Sequence, residues 1–388
     1  MAMSGVAPFD TAELDRLMEA ADLDALIVTS KHNIRYLTGG YTFFFFGFMD
    51  AIGVSRYLPL MVYRRRHPEQ TLYAGNRMEG FERDLGKLWA PNLSLKNWGT
   101  LDTVADAIAH LGKIGGCRKI GVEMPFLPAD AMDALKHGLG NCSFADAGGV
   151  LERLRAVKTP AEIGLLEQAS TGVIDAMLAT ITAHGVGSSK AQIVETLKHE
   201  EHSRGLDFEY CLVTAGTSLN RAPSAQTVAA GDPASIDSGG NYQGYIGDLC
   251  RMAVAGAPDQ ELVDLLGEIE EVQQAARKPI RAGALGQDIF DAGEAALARQ
   301  PSRKHTVFTA HGMGLISHEA PRLTSTGAVP YPGVDAGQPL RAGYIISIET
   351  TMPHPRRGYI KLEDTVCVTD TGWRAFGDHG RGWNQFGR

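Results

Sequence analysis

Little in this sequence belongs to a secreted, fibrous or nucleic-acid-binding protein. Its 388 residues include only five cysteines: Cys117, Cys142, Cys211, Cys250 and Cys367. They are odd in number, widely spaced and form no CxxC pair, which excludes a disulfide framework and favours a reducing compartment. A basic excess is also missing, since 37 Lys and Arg face 45 Asp and Glu, for a net charge of −8. Without a cationic surplus no general binding to nucleic-acid phosphates is expected. No apolar run approaches the roughly 18 residues of a membrane span. The most apolar patch, residues 41–48, is far too short. The N-terminus shows no basic segment followed by an apolar run, so no signal peptide is visible. These absences make a cytoplasmic location, away from membranes, the expectation.

What is present is ordinary globular material, 44% apolar and 21% charged, in a chain long enough for two domains. Residues 11–21 place Leu14, Leu17 and Met18 at helical spacing behind Thr11, read as the N-cap. Short apolar runs at 24–29, 56–63 and 118–124 read as strands, with a helix over 101–111. This alternation predicts an α/β layer over roughly 10–150. Beyond it, 151–183 is helical with a break at Thr159-Pro160, Pro160 opening the second helix. A helix over 190–203 precedes strand-like segments from 206 onward. Further helices start near Asp259 and Gly286, and 340–370 alternates like antiparallel strands. The boundary is drawn at 1–155 and 156–388.

The second part carries the chemistry. Asp237 and Asp248 lie eleven residues apart with Gly239, Gly240 and Gly244 between them, a spacing suited to a hairpin. His311 opens HGMGLISHE, and His318 follows seven residues later. Glu349 ends the run IISIE, and Glu363 lies 14 residues on, in IKLED. Taken singly, each is an ordinary solvated strand-end residue. Together, four carboxylates and an imidazole on apolar strands suit divalent cations of the Mn, Fe, Co or Zn kind.

The segments ASIDSGGNYQGYIGDLCRM, HGMGLISHEAPRL, SIET and KLEDTVCVTDTGW, in that order, resemble the pita-bread metallopeptidase family of aminopeptidase P, prolidase, methionine aminopeptidase, creatinase and ectoine hydrolase. LDALIVTSKHNIRYLTGG and RLRAVKTPAEIGLLEQAS resemble the N-terminal domain and interdomain junction of its two-domain branch. The resemblance implies an α/β N-terminal domain followed by an α+β pita-bread domain. It implies two divalent cations on Asp237, Asp248, His311, Glu349 and Glu363, with Glu349 as general base and His318 stabilising the oxyanion.

Several positions depart from the family pattern. Peptidases of this kind carry a His about 17 residues before the first Asp; here Asn220 or Arg221 falls at that place, and no His lies between His202 and Asp237. Asn cannot shuttle a proton near neutral pH. The usual Glu-Pro is Glu349-Thr350, and the Arg often found before the last Glu is Lys361, which lacks the bidentate fork. These changes favour a dinuclear hydrolase cutting an amide or related C–N bond in a small substrate, a dipeptide or modified amino acid. An Xaa-Pro dipeptidase or aminopeptidase P is the first alternative, and a metal-dependent lyase resembling dimethylsulfoniopropionate lyase the second. Asn220, Arg221, His354, Phe44 and Phe46 are the candidate substrate contacts. Five Phe within 43–48 and the neighbouring Tyr41 would expose an apolar face on a monomer. This predicts a homodimer in which the run narrows the partner's cleft.

Overall fold

The computed structural model describes residues 6–45, 59–324 and 331–387. The chain divides into two compact units, Met1–Arg155 and Ala156–Arg388. The first holds strands β1 (Ala25–Val28), β2 (Leu60–Arg64), β3 (His67–Asn76), β4 (Asn92–Asn97), β5 (Lys119–Val122) and β6 (Ser143–Asp146). Its helices are α1 (Thr11–Ala20), α2 (Lys31–Leu37), α3 (Gly80–Asp84), α4 (Thr100–Ile114), α5 (Ala129–Gly138) and α6 (Gly148–Leu154). The strands form one six-stranded sheet in the order β4-β3-β2-β1-β5-β6. It is parallel except where β2 pairs with β1 and β3.

Strand β1 shows why this is a layered α/β unit. Leu26 and Val28 share a core with Leu14 and Met18 of α1 and Leu151 of α6. Ala25 and Ile27, pointing the other way, share one with Val104 and Ala107 of α4 and Leu135 of α5. A strand buried on both faces reads as a continuous apolar run rather than an alternating one. One expectation fails locally. The N-cap of α1 is Asp10, not Thr11: its carboxylate accepts the Glu13 N–H at 2.9 Å. A carboxylate there also complements the positive end of the helix dipole.

The second unit has helices α7 (Pro160–Ala183), α8 (Lys190–Ser203), α9 (Gln260–Arg277) and α10 (Gly286–Leu297). Its strands are β7 (Asp207–Val213), β8 (Pro233–Tyr242), β9 (Tyr245–Val254), β10 (Val307–Gly312), β11 (Ile345–His354), β12 (Gly358–Val368), β13 (Trp373–Phe376) and β14 (Asn384–Gln385). They form an eight-stranded sheet with the path β10-β11-β12-β9-β8-β7, β13 beside β12 and β14 beside β9. Thr159 caps α7 in a reciprocal pair with Glu162, and Pro160 takes the first helical position. The β8–β9 turn falls on Gln243 and Gly244, both at positive φ, rather than on Gly239 and Gly240, which are strand residues. Gly247 of β9 is needed for packing, since a Cβ there would stand 2.8 Å from the α7 backbone at Ala169.

Alternation along these strands separates packing from chemistry. Ile236 and Leu249 lie in one core with residues of α7 and α8. Ala310 and Ile348 lie in another with residues of α9 and α10, and Leu362 packs with the first half of α9. Each is the sequence neighbour of a ligand-type residue, so Asp237, Asp248, His311, Glu349 and Glu363 project from the opposite face. Among the described residues, no helix is long and apolar enough to cross a membrane.

Candidate metal centre

Strand register brings the five residues together. Asp237 of β8 stands opposite Cys250 of β9, and Asp248 lies two residues from Cys250, on the same face. Cys250 also faces Glu363 of β12, which in turn stands opposite Glu349 of β11. On the far side β10 pairs with β11, setting Thr309 opposite Glu349 and His311 opposite Ser347. Ligand atoms of Asp237, Asp248 and Glu363 lie within 4.8 Å of one another, as do those of Asp248, His311 and His318.

His311 is wholly buried. Its Nδ1 lies 3.3 Å from the Gly312 carbonyl oxygen. A proton donated there would leave the Nε2 lone pair facing the carboxylates, the arrangement usual for a metal-binding imidazole. Nε2 makes no hydrogen bond and lies 3.4 Å from Glu363 Oε1. His318 stacks on this ring, centroids 3.9 Å apart and planes 9° from parallel. Ser347 Oγ donates to Glu363 Oε1 at 2.8 Å and orients it. A buried unsatisfied imidazole nitrogen among carboxylate oxygens fits a divalent cation.

A cationic side chain is already part of the cluster. Lys361 is two residues before Glu363 and so shares its face. Its Nζ lies 2.6 Å from Asp237 Oδ2, 2.7 Å from Glu349 Oε2 and 2.7 Å from Glu363 Oε2. Arg221 also pairs with Asp237 Oδ2, and its guanidinium lies over the Tyr359 ring. Asp364, pointing the opposite way, is held by Arg251, Arg277 and Arg381 and is no ligand candidate.

Burial and mutual repulsion govern the titration of these groups. Burial raises Asp237, though Lys361 opposes the shift. Burial and the charges of Glu363 and Asp237 hold Asp248 well above the carboxylate range. Burial opposes the charge on Glu363, but Lys361 and His311 outweigh it and keep that carboxyl ionised. Burial likewise opposes charge on His311, yet Glu363 raises its pKa to about 9. His318, buried and beside His311, is pushed down to about 3. The cluster as a whole draws in positive charge.

The other candidates are placed differently. Arg221 reaches the cluster; Asn220 does not, being exposed, with its Oδ1 accepting the Ala222 N–H of its own turn. His354 sits at the β11–β12 turn, where Nδ1 accepts the Arg357 N–H at 3.1 Å. Phe44 is 61% exposed, Phe43 is buried, and Phe46 lies outside the described residues. Sequence reasoning missed Tyr210, a half-buried residue whose phenol is pushed well up by burial and by the charges of Asp248 and Asp237. The signal was Gly239: a Cβ there would stand 2.4 Å from the Tyr210 ring.

An α/β unit with helices on both faces of its sheet, followed by a largely antiparallel sheet one face of which gathers carboxylates and an imidazole, defines a metallohydrolase-type protein. The chain belongs to metallopeptidase family M24, which it matches over residues 165–370, and it matches the creatinase/prolidase N-terminal domain over 11–157. It is 23% identical to an uncharacterized peptidase of Bacillus subtilis over 369 residues, 93% of this chain and 96% of that one. It is 22% identical to an Xaa-Pro dipeptidase of Pyrococcus horikoshii over 367 residues, 92% and 93% of the two chains. Among solved structures, an Xaa-Pro dipeptidase from Bacillus anthracis superposes with a TM-score of 0.81 at 19% identity, covering 97% of this chain and 98% of that one. The α/β plus pita-bread architecture inferred from the motifs is the one observed.

Proposed function

We propose that this chain is a metal-dependent hydrolase cutting the amide or related C–N bond of a small substrate, a dipeptide or modified amino acid. The observation that carries this reading is the convergence of Asp237, Asp248 and Glu363, with Asp248 and Glu363 beside a buried imidazole nitrogen that has no hydrogen bond. When bound, divalent cations of the Mn, Fe, Co or Zn kind would polarise the scissile carbonyl and acidify water. Asp248, His311 and Glu363 are the first candidates to hold them, with Asp237 and Glu349 completing the set the family resemblance implies.

The residues divide the remaining work by position. The Glu349 side chain keeps 15% of its surface exposed, against 2–3% for Asp237 and Glu363. With Oε2 held by Lys361, Oε1 remains to accept a proton from attacking water, the role of a general base. His318 is half-buried beside His311, where a neutral ring donates a hydrogen bond to the oxyanion.

Xaa-Pro dipeptidase activity is the nearest alternative, supported by the names of the relatives. Against it stand Arg221, committed to Asp237, and the exposed Asn220 where a family His would act. The lyase alternative has no support in the relatives named above. Ser238, beside the first Asp, turns its hydroxyl to Glu201 and the Tyr210 carbonyl, away from the cluster. Assaying Xaa-Pro dipeptides, other dipeptides, N-acyl amino acids and sulfonium compounds separates these readings. Free amine as product supports hydrolysis, and an alkene from a sulfonium compound contradicts it.

The five cysteines are free, consistent with a reducing cytoplasm. The exposed Phe44 supports a homodimer, which sedimentation at micromolar concentration tests. A monomer there would contradict it.

A further inference from the structure

The position of Lys361 bears on how many cations the cluster holds. An ammonium has three N–H donors. Those of Lys361 have three carboxylate partners at 2.6–2.7 Å, one oxygen each from Asp237, Glu349 and Glu363. Such distances are those of charge-assisted hydrogen bonds. The side chain is 5% exposed, so water does not screen these contacts. The oxygen of Asp237 that meets the ammonium is also the one that Arg221 holds. This end of the cluster therefore already has its positive charge, supplied by the chain.

The other end differs. Asp248, His311 and His318 bring ligand atoms within 4.8 Å of one another. No Lys or Arg is paired with any of the three among the described residues. The buried Nε2 of His311 points there without a hydrogen bond, beside Glu363 Oε1. A second ion on Asp237, Glu349 and Glu363 would compete for three carboxylates that the ammonium already holds.

We propose that the site holds one divalent cation, at Asp248, His311 and Glu363, and that the Lys361 ammonium stands in place of a second. This rests on the metallohydrolase reading and alters its count of ions. In substrate binding the ammonium would act as a fixed charge that no chelator removes.

The test is metal stoichiometry. The full-length protein is stripped with a chelator, dialysed against Mn²⁺ and analysed for metal per chain, with the Mn²⁺ spin-resonance spectrum recorded on the same sample. The expected wild-type result is one ion per chain with the spectrum of an isolated ion. Lys361→Met, of similar length without the charge, is expected to bind two ions and show a spin-coupled pair. Two ions per wild-type chain would overturn the proposal while leaving the metallohydrolase reading intact. Binding of only one ion by folded Lys361→Met would also overturn it. No binding at all would overturn both. If Lys361→Met fails to fold, the wild-type count and spectrum decide alone.

Discussion

Lys361 and Glu363 stand two residues apart on β12, so strand alternation aims both into one cluster, with the ammonium 2.7 Å from Glu363 Oε2. This pair sets the electrostatics of the site. It keeps one carboxylate ionised where burial alone would protonate it, and it draws Glu349 and Asp237 onto the same nitrogen.

Glu349→Gln is expected to retain the fold and lose about 10²–10⁴-fold in kcat, the usual contribution of a general base. The amide is nearly isosteric but cannot accept a proton from water. Steady-state kinetics with circular dichroism on the same preparation checks it. A kcat within about tenfold of wild type would remove Glu349 from that role.

Proline dipeptides are expected to be poor substrates. No His lies between His202 and Asp237. Arg221, the residue of that segment that reaches the cluster, is spent on Asp237. Wild-type Xaa-Pro turnover near the enzyme median of about 10 s⁻¹ would contradict this and favour the dipeptidase alternative.

Glu201 on α8 gives a stability prediction independent of metal. It is wholly buried, accepts a hydrogen bond from Ser238 and has its other oxygen without a partner. Burial, with the nearby charge of Glu209, raises its pKa to about 8 from an ordinary 4.5. The folded protein thus binds this proton more tightly than the unfolded chain. Stability from this group is full below about pH 4.5 and is lost as pH rises through 8. Each unit is worth about 1.4 kcal/mol, so the loss is on the order of a few kcal/mol. Glu201→Gln is expected to remove that slope and to be more stable than wild type at pH 8. Denaturant melts at pH 5 and 8 measure it, and parallel slopes for the two proteins would contradict it.

The sequence made some parts of this molecule legible and hid others for physical reasons. The candidate metal-binding set was visible because each member neighbours an apolar strand residue, as Ile236 does Asp237 and Leu362 does Glu363. Helix starts were visible where caps are chemical, as at Thr159-Pro160 and Asp259, but Asp10 outcompeted its neighbour Thr11. Strands such as Asn92–Asn97 and Ser143–Asp146 went unread because their half-polar residues carry little periodicity and depend on sheet partners. Lys361 was read only as a departure from Arg, because spacing cannot show that a shorter side chain ends among three carboxylates. Asn220 and Arg221 were equal candidates in sequence, and the turn at Asn220 decided between them.

The most direct test is the metal requirement for amide hydrolysis. Chelator-stripped protein is assayed by amine release from dipeptides and N-acyl amino acids, before and after Mn²⁺ is returned. The expected result is no turnover when stripped and restored hydrolysis of at least one small amide on reloading, absent in Glu349→Gln. Equal hydrolysis by the stripped and reloaded protein would contradict the account.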